Sequence, residues 1–156
     1  MIMKARHKMN IAIATDHRGF EHKEYIKQHL VISEFTINWI DVGTNSTERT
    51  DYPIYAQRAC EAFKQQKAEK AILLCGSGVG MSIVANRFHK VYAALVWDEE
   101  TARRAIEEDN ANMLVLPADF ISPEKSVIMI RTWLTSSFLH GHYQMRINEI
   151  NALGGL

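Results

Sequence analysis

A cysteine closes an apolar run and is followed by three glycines in five residues, in the stretch LLCGSGVGMS over 73–82. A cysteine so placed can act as a nucleophile or a general base. The nearly bare backbone of Gly76, Ser77, Gly78, Val79 and Gly80 offers N–H groups at the start of a helix, where an anion is favoured. One base beside such a cradle is what aldose–ketose isomerisation requires. The base takes a proton from the carbon next to the carbonyl while the donors hold the enediolate oxygens. The Ser77 hydroxyl adds a donor, and the same donors are expected to favour the Cys75 thiolate. The competing reading is a small apolar residue packed at a strand end, and residue types alone weigh the two evenly. A phosphate-binding loop of the nucleotide type is excluded, because no lysine follows the glycines. The dinucleotide fingerprint lacks a third glycine where Met81 stands. Asp98, about twenty residues on, keeps a nucleotide-binding reading open as a ribose-binding acid.

These residues need strands and helices to place them. Residues 10–14, 35–43, 70–75, 91–97 and 112–117 read as strands, and the third, KAILLC, is apolar enough in its middle to be buried on both faces. Between and after them, 18–31, 54–66, 79–88, 98–109 and 122–138 carry helical spacing. The last of these begins with Ser122 as an N-cap and Pro123 at the first helical position. The tail, 139–153, reads as one more helix broken off by Gly141. Alternation of this kind predicts an α/β domain, a Rossmann-like three-layer sandwich with a five-stranded parallel sheet and a C-terminal helical tail. Ligands in such sheets sit beyond the carboxyl ends of the strands. Asp16 and His17 after the first strand, Cys75 and its glycines after the third, and Trp97 and Asp98 after the fourth all fall there.

The chain has 156 residues, 47% of them hydrophobic and 23% charged, with no formal net charge. That is one soluble domain, expected over 10–154, with residues 1–9 an N-terminal extension and Met9 a candidate start. Neutral charge gives nothing to draw the chain to nucleic acid or to an anionic membrane. No apolar run reaches the ~20 residues of a membrane span, and no export signal is visible. Cys60 and Cys75 make neither a disulfide framework nor a zinc motif, which points to reduced thiols in the cytoplasm, with Cys60 in the core. No metal site is expected from the histidines.

The stretches ATDHRGFEHK, DVGTNSTERTDYPIYA, LLCGSGVGMSIVANR and DNANMLVLPA, in order from about residue 10 to 150, together resemble the type B ribose-5-phosphate isomerases and the related galactose-6-phosphate and allose-6-phosphate isomerases. The resemblance implies a homodimer with active sites shared between subunits, a sugar phosphate as substrate, and no cofactor or metal. It implies that Cys75 moves the proton between carbons 1 and 2 and that residues 76–80 form the anion hole. Asp16 and His17 would bind substrate, with His17 near the phosphate, and Tyr52 would line the sugar pocket. Asn112 corresponds to an asparagine of the family's His-Asn-x-x-Asn stretch. Arg146 matches a tail arginine that reaches the phosphate from the partner subunit.

Four positions depart from that pattern. The ring-opening histidine falls at Glu108, and the asparagine after it at Asp109. An arginine after the fifth strand falls at Asp119, and a second tail arginine at His142. Neither histidine nor aspartate replaces a bidentate arginine in kind. Phosphate is therefore expected to bind more weakly than in relatives with both tail arginines. The resemblance implies interconversion of ribose 5-phosphate and ribulose 5-phosphate through a cis-enediolate. The departures leave open an isomerase with another sugar phosphate or a free sugar, or a non-catalytic sugar- or nucleotide-binding protein.

Overall fold

The computed structural model describes residues 6–154. Five parallel strands, Lys8–Thr15 (β1), Thr36–Asp41 (β2), Lys70–Cys75 (β3), Ala93–Leu95 (β4) and Met113–Pro117 (β5), lie side by side in the order β2-β1-β3-β5-β4. The helices are Phe20–His29 (α1), Tyr52–Lys64 (α2), Val79–Ala85 (α3), Glu99–Glu107 (α4), Pro123–Thr135 (α5) and His142–Ala152 (α6). A single 3₁₀ turn, His17–Gly19, joins β1 to α1. β1 begins earlier than the sequence suggests. Lys8 and Met9 pair with Thr36 and Ile37, and residues 1–5 of the expected extension lie outside the described residues.

Period-two alternation splits the sheet's side chains between two cores. Ile11, Ile13, Ile72, Leu74, Leu114 and Leu116 face α1, α4 and α5, where Trp133 is the largest buried group. Ala12, Ala14, Ala71, Leu73, Met113 and Val115 face α2 and α3. The second face is built from small residues on both sides, Ala12 and Ala14 against Ala56 and Ala59, so α2 packs close to the strands. Cys60, in the middle of α2, is fully buried there, and burial pushes its thiol up to about 12.

The helix ends follow local chemistry. The Ser122 side chain accepts from Lys125 N–H with Pro123 in the first turn of α5. Asp98 is occupied as the N-cap of α4, where it accepts from Thr101 N–H at 2.7 Å in a reciprocal capping box. The carboxylate considered for a ribose hydroxyl thus already holds a helix.

Chain order places the crevice. The connection from β1 goes to β2 on one side, and the return through α2 crosses β1 to β3 on the other. The strand order therefore reverses between β1 and β3, and ligands in open α/β sheets bind beyond the carboxyl ends at such a switch point.

One buried cation fixes the approach to this crevice. Lys23 of α1 is fully buried, and its Nζ donates to Asp41 Oδ2 and to Thr44 O, both at 2.7 Å. It ties α1 to the end of β2 and to the loop that leads to Tyr52. Lys23→Met removes the cation and leaves the Thr44 carbonyl without its partner, while Lys27 still holds Asp41. The expected cost is about 3 kcal/mol, read as a lower urea midpoint at an unchanged slope.

Candidate active site

β3 delivers Cys75 to the carboxyl edge of the sheet, in register with Pro117 of β5, and the thiol is 4% exposed. The chain then turns without a side chain at Gly76, Gly78 and Gly80. Gly78 is the N-cap of α3 with φ 75°, and a Cβ on it would sit 2.5 Å from Leu95 Cδ1. Only glycine fits there, on conformation and on space. The N–H groups of Met81, Gly78 and Gly80 lie near enough to the Cys75 sulfur to favour its thiolate. Ser77 is exposed on the same turn, its Oγ accepting from Val79 N–H at 3.3 Å.

Neighbouring elements close around this backbone. Tyr52, the first residue of α2, lays its ring on Gly80, where a Cβ would come within 2.4 Å of Tyr52 Cζ. Asp16, 5% exposed, accepts from Arg18 N–H at 3.0 Å and caps the turn after β1. His17 meets the backbone of Thr50 through Nδ1, which pins the 45–51 loop beside the site. Arg18 and Asp119 form an ion pair across Gly76. A cleft of ≈ 520 Å³ opens between Asp16, Tyr52, Cys75 and Phe120, with Ser77, Val79, Gly80, Arg18, Asp119 and Ile83 on its walls.

The electrostatics correct one expectation. The Cys75 thiolate is not favoured at rest. Burial raises the thiol above its ordinary value, the Asp16 carboxylate adds to this, and the N–H groups of Met81, Gly78 and Gly80 only partly offset it. Burial likewise raises Asp16, against the N–H groups of Arg18 and Gly19. The site therefore rests with a neutral sulfur, and the donors are directed at a negative charge that is still to develop.

The candidate residues fall into two groups. Asp16, His17, Tyr52, Cys75, Gly76, Ser77, Gly78, Val79 and Gly80 gather at the carboxyl end of the sheet. Glu108, Asp109, Asn112, His142 and Arg146 do not join them within one chain. α4 runs back to the amino end, so its C-cap Glu108 and the start of β5 lie about 13 Å of strand below Pro117. There they have company of their own. Burial and the neighbouring Glu108 raise Asp109, and Arg146 opposes them. The Arg146 guanidinium also lies over the Tyr143 ring, and His142 lies against that ring. Asn112 is engaged by backbone, accepting from Tyr92 N–H and donating to Lys90 O, so its amide braces the start of β4.

Sequence reasoning missed Arg18, Ile83 and Phe120 as cleft residues, and placed Asp119 only as a departure from a pattern. The available signal was position: Arg18 lies three residues past the end of β1 and Asp119 two past the end of β5. Nothing in their types announced that they meet. Among the described residues, no three His, Cys, Asp or Glu converge as a metal would need, and no helix is long and apolar enough to cross a membrane.

Comparisons with known proteins agree with this fold. The Ribose/Galactose Isomerase family model matches residues 11–150. The chain is 35% identical to ribose-5-phosphate isomerase B of Escherichia coli over 143 residues, 92% of this chain and 95% of that protein. A crystal structure of ribose 5-phosphate isomerase from Thermotoga maritima superposes with a TM-score of 0.86 at 40% identity, covering 92% of this chain and 98% of that one. A structure of ribose-5-phosphate isomerase B from Mycoplasma genitalium with bound ribulose-5-phosphate superposes with a TM-score of 0.85 at 35% identity, over 93% and 95% of the two chains.

The raised thiol has a direct readout. Alkylation of Cys75 by iodoacetamide is expected to accelerate with pH along a titration lying above that of an ordinary thiol. Asp16→Asn removes a negative neighbour and moves that titration to lower pH. Fully buried Cys60 does not compete. An unchanged titration in Asp16→Asn would show that the carboxylate does not act on the sulfur.

Proposed function

This chain belongs to the ribose/galactose isomerase family, and on that footing we propose that it is an aldose–ketose isomerase interconverting ribose 5-phosphate and ribulose 5-phosphate. The observation that carries the reading is Cys75 on the wall of a cleft together with Gly76, Ser77, Val79 and Gly80 of the turn that follows it.

In the proposed reaction the open-chain sugar lies with carbons 1 and 2 at Cys75. The thiolate takes the proton from carbon 2 of the aldose, and the electron pair of that C–H bond forms the C1–C2 double bond. The carbonyl π electrons move onto oxygen 1, giving the cis-enediolate. Donors of the 76–80 turn and the Ser77 hydroxyl receive the oxygen charge. The same sulfur returns the proton to carbon 1 while the hydroxyl proton of oxygen 2 passes to oxygen 1 and the carbonyl forms at carbon 2, so no net proton is consumed. A raised thiol suits this step in one respect, because its thiolate is a stronger base toward carbon. The balancing disadvantage is a smaller ionised fraction at neutral pH. Asp16 and Tyr52 position the sugar.

The remaining candidates come from a second copy in this reading. Glu108 would exchange a proton with the ring oxygen during ring opening, and Asp109, His142 and Arg146 of the partner subunit would line the far side. Asn112, engaged by backbone, supports that edge rather than the sugar. α6 is packed on its own chain through Ile147, its one buried side chain, and leaves Met145 and Ile150 exposed. The two free thiols suit a reducing compartment, and we place the reaction in the cytoplasm. The carboxylate at Asp119 favours a second reading, an isomerase with a shifted substrate such as another sugar phosphate or a free sugar.

Wild type and Cys75→Ala assayed with ribose 5-phosphate, allose 6-phosphate and free ribose separate these readings. Turnover of ribose 5-phosphate, lost in Cys75→Ala with the melting temperature retained, is expected. Turnover of free ribose alone would select the shifted substrate, and undiminished turnover in Cys75→Ala would remove the proposed base. Site sharing has its own test. Cys75→Ala and Arg146→Ala are each expected to be severely impaired, yet co-refolding them in equal amounts restores about a quarter of wild-type activity, because each mixed dimer holds one intact site. No recovery on mixing would place each site within one chain.

A further inference from the structure

Resting on the isomerase reading, we propose that Arg18 is the residue of this chain that meets the anionic end of the substrate, and that Asp119 positions it. Among the described residues, Arg18 is the only lysine or arginine on the wall of the Cys75 cleft, where Asp16 and Asp119 are the other charged groups. One chain's cleft thus carries two carboxylates against one guanidinium. A sugar phosphate that brings its charge to this wall meets that guanidinium as its cationic side chain.

Arg18 is held for this role from both ends. Its backbone N–H is fixed by Asp16 Oδ1 at 3.0 Å, so the turn after β1 sets the direction of its side chain. The side chain then crosses Gly76, where a Cβ would lie 2.7 Å from Arg18 Nε and 2.7 Å from Asp119 Oδ2. It ends with Nη2 on the Asp119 carboxylate. Asp119 is fixed in turn, its N–H donating to Gly76 O at 3.0 Å. The ends of β1, β3 and β5 are therefore linked over the first residue of the N–H cradle.

The guanidinium is not consumed by this pairing. It has five donors, of which Asp119 engages one nitrogen, and the Arg18 side chain remains 56% exposed. A planar fork held at one corner can present its remaining N–H groups to a phosphate bidentately, which a lysine ammonium cannot. The charge absent at position 119 thus reappears in the same cleft from a different element. Asp119 holds the fork in place and also competes for its charge.

The test compares wild type, Arg18→Gln, Arg18→Lys and Asp119→Asn by isomerisation kinetics with ribose 5-phosphate and by calorimetric titration with inorganic phosphate. Arg18→Gln is expected to raise KM for ribose 5-phosphate and weaken phosphate binding about 10–100-fold, the loss of one charge-assisted contact, with KM carrying more of the loss than kcat. Arg18→Lys recovers only part of the phosphate affinity. Asp119→Asn tightens phosphate binding by removing the opposing charge. Phosphate binding and KM unchanged in Arg18→Gln would overturn the assignment, as would a wild type that binds no phosphate in the cleft. The titration needs no turnover. A wild type inactive on ribose 5-phosphate would sink the isomerase reading, while loss of phosphate binding in Arg18→Gln would still support Arg18 as the anion ligand.

Discussion

The backbone from Gly76 to Gly80 leaves three side chains out, and the rest of the cleft is built into the space that they leave. Arg18 and Asp119 lie over Gly76, Leu95 packs on Gly78, and the Tyr52 ring lies on Gly80. These groups come from the turn after β1, the end of β5, β4 and the start of α2. A methyl group at any of the three glycines would displace one of these side chains, and at Gly78 it would also strain the backbone. The return is a backbone whose N–H groups favour charge on the Cys75 sulfur. A donor on a side chain would need rotamer freedom frozen to do the same.

The electrostatics of the cleft follow from that close packing. Burial withdraws water from Cys75 and Asp16 and raises both groups. Three N–H donors are not enough to hold a thiolate against desolvation and a neighbouring carboxylate. The resting site is therefore poised for a negative charge that arrives with the substrate or forms during reaction. Such preorganised donors stabilise a transition state without reorganising at the moment it forms. Acidic groups outnumber basic ones on the cleft wall, so an anionic substrate depends on how Arg18 is shared and, in the proposed dimer, on what a second copy contributes.

The parallel sheet makes that second copy matter. Each crossover helix returns the chain to the amino end before the next strand begins, so α4 necessarily carries Glu108 and Asp109 away from the crevice it started beside. A single chain has no route by which its α4 C-terminus reaches its own Cys75. In the proposed dimer, a partner presents that end instead, together with α6. α6 carries exposed apolar side chains at Met145 and Ile150.

Much of this was written in local sequence. Alternating apolar strands and periodic helices specified an α/β sheet, because those periods reflect which faces are buried. Cys75 and its glycines announced themselves, since a buried strand running into a Gly-rich turn has few uses. Helix ends were legible where a side chain caps its own turn, as Ser122 does. Other features depend on which strand ends become neighbours, and nothing local carries that. Arg18 and Asp119 are a hundred and one positions apart in sequence, and they meet because β3 lies between β1 and β5. The state of Cys75 was misjudged for the same reason. Its donors could be counted from the glycines, whereas its desolvation comes from elements packed around it. The sequence alone determined the fold class, which rests on residue type and short-range spacing, and it pointed to the kind of chemistry through motifs that in combination resemble a family. Tertiary structure alone decided the charge state of the sulfur, the ion pair over Gly76 and the separation of the candidate residues into two groups, since each depends on distances between segments remote in the chain.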